Sequence, residues 1–107
     1  MKPFEDFLGR TYVTIGVHEQ VPENLRTVML LMIMNMDVEE KDSYQFFKLY
    51  TIGHEYNNTK VQVIEHWQEE PEYHSPIMYI PDTECYTGSV YVIDDGENCV
   101  MCFPDER

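Results

Sequence analysis

The sequence predicts a single α+β domain, residues 1–107, in which one central helix packs on a mostly antiparallel sheet. Three observations point there. A run of Leu and Met follows Pro22 and is nearly free of charge after Arg26, the composition of a core helix. Segments rich in Val, Ile, Tyr and Phe alternate with turn residues at short intervals, as consecutive strands do. A chain of 107 residues with 43% hydrophobic and 25% charged residues can fill one modest core and is not disordered.

In chain order, residues 12–17 are β-branched and aromatic and read as a first strand ending near Gly16. Pro22 suits the first turn of a helix, where its missing N–H is not needed, and Glu23 complements the positive end of the helix dipole. The helix runs to about Met36. Its Met29, Met32, Met34 and Met36 read as core packing, with an adaptable binding groove as the alternative. Residues 37–43 form an acidic loop, and 44–52 the next strand. Residues 53–59, with Asn57-Asn58, read as a hairpin-type connection. Residues 60–66 alternate, Val61 and Val63 on one face and Gln62 and Ile64 on the other. Residues 67–76 are irregular and acidic, broken by Pro71 and Pro76. Residues 77–80 suit a short strand. Residues 88–93 and 99–103 flank Asp94-Asp95-Gly96-Glu97, a strong hairpin signal.

Charge narrows the function. Twenty Asp and Glu face seven Lys and Arg, a formal net charge of −13. Such a field repels nucleic acid and anionic membrane and attracts basic surfaces. A partner that itself binds nucleic acid is therefore more natural than nucleic acid. The first ten residues hold Glu5 and Asp6 and no apolar stretch of the signal-peptide kind, and the apolar run 28–34 is too short to span a bilayer. The expectation is a cytoplasmic protein with no membrane association. The carboxylates fall in clusters, among them Glu69, Glu70 and Glu72, and Asp94, Asp95 and Glu97. If these share a face, they and aromatics such as Tyr73 and Tyr86 can dock a basic groove; the alternative is loops that are merely well solvated.

Cys99 and Cys102 form a C-x2-C pair, and Cys85 lies upstream across the expected hairpin. Folding that hairpin back could gather three sulfurs, with His74 as fourth ligand and His66 or His54 as substitutes. This would be a closed structural zinc site pinning the C-terminal hairpin. The competing reading is a group of buried thiols packed as small hydrophobes. No catalytic motif is present: there is no H-E-x-x-H, phosphate-binding loop, G-x-S-x-G or G-x-G-x-x-G. His66 with Glu69 and Glu70 could imitate an acid–base cluster, but carboxylates in a Pro-containing loop are ordinarily solvated surface. The expectation is a protein that is not an enzyme.

Two stretches together resemble a known family. One is Arg10-Thr11-Tyr12-Val13-Thr14-Ile15-Gly16-Val17 followed by Val21-Pro22-Glu23-Asn24-Leu25. The other is Tyr44-Gln45-Phe46-Phe47 with Ile64-Glu65-His66-Trp67-Gln68-Glu69-Glu70-Pro71-Glu72-Tyr73. Over about residues 10–75 they resemble the DUF960 family, small proteins of firmicute bacteria and their phages without a settled function. The cysteine-bearing C-terminal third departs from that pattern. In size, charge and apparent lineage the chain also resembles the anti-CRISPR inhibitors of Cas9. That class resemblance implies stoichiometric binding to a basic nucleic-acid channel of the nuclease and a block of target-DNA loading. The alternative it leaves is a bacterial regulatory or housekeeping binding module.

Overall fold

The apolar segment after Pro22 becomes helical because its bulky residues repeat at helical spacing. Leu25, Met29, Met32 and Ile33 fall on one buried stripe, while Leu31, on another side, stays 42% exposed. The computed structural model describes residues 11–38, 40–53, 60–81 and 83–106. Its helices are α1 (Ile15–Gln20) and α2 (Glu23–Met34). Its strands are β1 (Thr11–Val13), β2 (Tyr44–Gly53), β3 (Lys60–Gln68), β4 (Tyr73–His74), β5 (Met78–Ile80), β6 (Gly88–Asp94) and β7 (Cys99–Cys102), followed by a 3-10 turn at Pro104–Glu106.

The strands form one sheet in the order β1-β7-β6-β2-β3-β4, with β5 also pairing along β3. All its pairings are antiparallel except β1 with β7, which run parallel with Thr11 opposite Cys99. The α+β expectation therefore holds, with a mixed sheet and two helices where one was expected. The additional helix lies in residues expected to extend the first strand. Thr14 explains the difference. Its hydroxyl accepts a hydrogen bond from the Val17 N–H (3.3 Å) and its carbonyl accepts from the His18 N–H (2.9 Å), so the chain turns helical after Val13. Val17 then reaches the core fully buried.

The core is continuous. Val17, Val21, Leu25, Met29, Met32, Ile33 and Met36 pack against Phe47, Leu49, Ile64, Val90, Val92, Cys99 and Met101 from the sheet. Met29, Met32 and Met36 thus serve packing, as expected. The β6–β7 hairpin closes with Asp94 opposite Cys99, and Gly96 supplies the positive φ (102°) its turn needs. Residues 67–76 are more regular than expected: Trp67 and Gln68 finish β3, and Tyr73–His74 pair back onto them. The proposed Asn57-Asn58 connection lies outside the described residues; β2 and β3 flank it with Gly53 opposite Lys60.

Candidate protein-interaction surface

Alternation along a strand sends neighbouring side chains to opposite faces. On β2, Gln45, Phe47 and Leu49 point to the helices; on β3, Gln62, Ile64, His66 and Gln68 do so. Buried glutamines among apolar residues need partners, and here they find them. The Gln68 amide donates to the carbonyls of Glu40 (3.1 Å) and Pro71 (2.8 Å), and its oxygen accepts from the Asp42 N–H (2.9 Å) and the Gln45 amide (2.7 Å). Gln45 also donates to the Asp42 carbonyl (2.9 Å). One buried pair of amides thereby clamps loop 40–43 to turn 69–72. Gln62 does similar work at the other end of β3, accepting from the Tyr86 N–H (2.7 Å) and donating to the Tyr86 carbonyl (3.0 Å).

His66 belongs to this buried layer. Its ring stacks on Phe47 at 4.3 Å, and its Nε2 lies 2.7 Å from Gln45 Oε1. The Gln45 amide nitrogen is committed elsewhere, so this oxygen accepts and Nε2 carries the hydrogen. Burial, assisted by the charge of His74, lowers the His66 pKa to about 4, so the ring is neutral at pH 7. His66 is wholly buried on the core side, whereas Glu69 and Glu70 are exposed beyond the strand end. The imagined acid–base cluster is not assembled.

The other face of the same strands is different. Both helices lie on the core side, and five matched positions cross the opposite face: Cys102, Tyr91, Phe46, Trp67 and His74 on β7, β6, β2, β3 and β4. Phe46 meets Tyr91 edge to face at 4.6 Å and Trp67 in a stacked arrangement at 6.1 Å; Trp67 meets His74 edge-on at 6.2 Å. Beside this row, Tyr50 Oη donates to Glu65 (2.7 Å), and the other Glu65 oxygen faces His74 Nε2 at 3.4 Å. That hydrogen bond to Glu65 is the first cause of a raised Tyr50 pKa. Lys48 Nζ lies 5.8 Å over the Tyr50 ring.

The expected acidic clusters meet at one end of the sheet. Glu69, Glu70 and Glu72 line a hollow with Glu40, Lys41 and Asp42. The turn bearing Asp94, Asp95 and Glu97 lies at that same end, since Tyr44 pairs with Ile93 and the Asp94 N–H donates to the Ser43 carbonyl (2.8 Å). Two of these carboxylates also build the turn: Asp94 accepts from the Gly96 N–H, and Asp95 from the N–H groups of Glu97 and Asn98. The aromatics beside the acidic end are Tyr44, Phe46 and Tyr91. They are not the expected Tyr73 and Tyr86, which pack half-buried against the core.

The zinc ligands are not brought together. Cys99 and Cys102 are three apart on a strand, so Cys99 enters the core with Met101 while Cys102 lies on the opposite face with Val100. His74 is on β4, four strand spacings from β7, or roughly 19 Å at about 4.8 Å each. Cys85 is exposed, with its thiol 3.5 Å from the Thr83 carbonyl. Among the described residues no group of three or more His, Cys, Asp and Glu side chains could hold a metal ion.

Residues 10–106 match the family model described as staphylococcal protein of unknown function (DUF960). The chain belongs to the DUF960 family. The match takes in the cysteine-bearing hairpin, which corrects the expectation that the likeness stops near residue 75. A crystal structure of a protein of unknown function from Enterococcus faecalis has the same fold, at 22% identity over 100% of this chain and 97% of that one, with a TM-score of 0.69. No curated protein matches.

In this DUF960 chain the buried imidazole is turned away from solvent, and the helix-free face presents aromatic rings and carboxylates together with Lys48 and His74. Among the described residues no helix is long and apolar enough to cross a membrane.

Proposed function

We propose that this protein is a non-enzymatic, cytoplasmic binding module that presents the acidic end of its sheet to a basic protein surface. The observation behind this reading is the registered aromatic row on the helix-free face, bordered by the carboxylates of Asp42 and Glu69. Aromatic rings supply desolvated anchors, and surrounding carboxylates steer and select a cationic partner. The net charge of −13 favours the same choice over nucleic acid.

A Cas9-type effector nuclease is the sharper form of the proposal. Its nucleic-acid channels are positively charged, and occupying one would prevent target-DNA loading with no chemistry by the inhibitor. The test is a pull-down with purified Cas9 orthologues followed by a target-DNA binding assay. Stoichiometric capture with loss of DNA binding is expected. Capture of none of them removes the nuclease as partner and leaves a regulatory or housekeeping module directed at another basic protein.

A further inference from the structure

The hollow bounded by Asp42, Tyr44, Phe46, Glu69 and Tyr91, about 430 Å³, has a composition that a general basic-surface reading leaves unexplained. Three aromatic rings form part of its wall, and two carboxylates complete it. We infer that this hollow receives a single arginine side chain from the partner protein; the inference rests on the binding function proposed above.

Three features select arginine. The first is the ring arrangement. Phe46 and Tyr91 are held edge to face at 4.6 Å, so ring faces and edges of different orientation line one space. A guanidinium is flat, weakly hydrated and stacks on such faces, whereas an ammonium is compact and strongly hydrated. The second is the fixed carboxylate. Asp42 Oδ1 accepts from the Tyr44 N–H (3.2 Å) and Oδ2 from the Glu70 N–H (3.1 Å), which holds the group in place before any partner arrives. A pre-oriented carboxylate matches the forked donors of arginine with little further loss of freedom. The third is support from beneath. Gln45 and Gln68 grip the Asp42 backbone from the core side, so the position of the carboxylate is tied to the folded sheet. Glu69 is exposed and stands at the rim, where a second carboxylate can close over the bound cation. Elsewhere on this face, Lys48 over Tyr50 already pairs a cation with a ring.

Single-cation peptides test the inference: a blocked Gly-Gly-Arg-Gly-Gly amide and its lysine and citrulline counterparts, titrated at physiological salt. Amide shifts by NMR and the emission of Trp67 report binding; this tryptophan is the sole one in the chain, and its ring lies 6.1 Å from that of Phe46. The arginine peptide should shift Asp42, Tyr44, Phe46, Glu69 and Tyr91, the lysine peptide should bind several-fold more weakly, and the neutral citrulline peptide should not bind. Phe46→Leu and Glu69→Gln should each weaken the arginine peptide by several-fold to about tenfold. Glu69 is exposed, so that variant tests the hollow with no change to packing. Equal binding of arginine and lysine peptides, or shifts confined to the Asp95–Glu97 turn, would overturn the inference. A parallel titration with protamine separates it from the wider reading. Protamine binding that perturbs Trp67 but is unaffected by Glu69→Gln refutes the arginine hollow alone; absence of protamine binding refutes the basic-partner function as well.

Discussion

The two faces of β2 and β3 are built from one strand sequence and solve opposite problems. Toward the helices, Gln45, Phe47, Leu49, Ile64, His66 and Gln68 are buried; the glutamine amides and His66 Nε2 are spent on loops and on each other, while His66 Nδ1 has no hydrogen-bond partner among the described residues. Toward the other side, Tyr44, Phe46, Lys48, Tyr50, Glu65 and Trp67 form a surface of rings and charges. The contrast teaches that the acidic end owes its shape to the buried side. The amides of Gln45 and Gln68 position Asp42, while the rings across the sheet give Asp42 something to act with. On the binding function proposed above, stability and recognition belong to different faces and meet in one loop.

Substitutions that respect this division should have effects of different size and kind. The largest is expected in the core: Leu25→Ala removes a fully buried side chain and should cost about 2–5 kcal/mol in denaturant unfolding, with the open face altered only through loss of the fold. Next is acid. An unfolded histidine takes up a proton as pH falls through about 6.5, whereas buried His66 does so only near a pKa of about 4. Its contribution is therefore absent above pH 7, destabilises progressively between those values, and amounts to about 3 kcal/mol at the acid end. His66→Gln should flatten that part of the stability–pH profile relative to the parent chain; parallel profiles would show that carboxylates alone set the slope.

Gln68→Ala tests the coupling between the faces. It removes the partner of the Glu40 and Pro71 carbonyls and of the Asp42 N–H, all part-buried bonds, should lower stability by about 1–3 kcal/mol, and should raise amide exchange in loop 40–43 and turn 69–72 before the rest of the sheet. Uniform exchange changes would mean that the clamp is not local. Phe46→Leu on the open face should cost only about 1 kcal/mol or less, the scale of a cross-strand pair, yet diminish partner binding. Smallest is the effect of a metal chelator, which should leave the melting temperature unchanged because the cysteines of β7 face opposite ways. One zinc per chain by elemental analysis, with a lowered melting point after its removal, would reinstate a metal-pinned hairpin.

Much of the architecture was legible because hydrophobic period and turn chemistry act locally. The α2 stripe, the alternation of β3 and the Asp94–Glu97 hairpin all announce themselves within a dozen residues. Helix α1 did not, since Ile15 and Val17 are β-branched and only the Thr14 cap distinguishes a helix start from a continuing strand. The meeting of the acidic clusters depends on strand register, which composition does not encode. The aromatic row was hidden for the same reason: Phe46, Trp67 and Tyr91 lie far apart in sequence and become neighbours only when three strands align. The orientation of β3 was hidden too: Gln62, Ile64, His66 and Gln68 read as its more polar side beside Val61, Val63 and Trp67, yet that side faces the helices, where its glutamines require structural partners. The cysteine pair misled because C-x2-C converges in a turn but diverges in a strand, and residues 99–102 are a strand.

The parallel pairing of Thr11 with Cys99 sets an order on assembly during synthesis. Helix α2, the β2–β3 pair and β6 can associate as they leave the ribosome, since each finds its neighbour among residues already made. Strand β1 precedes every other described strand, yet its partner β7 follows them all. Until β7 arrives, the exposed Tyr12 and the backbone edge beside it have no strand to join, and the closing contact carries a long loop-closure entropy. The nascent chain therefore carries β1 as an unpaired edge until β7 is made, and β1 is the segment from which chaperone contact or misassociation would most readily start.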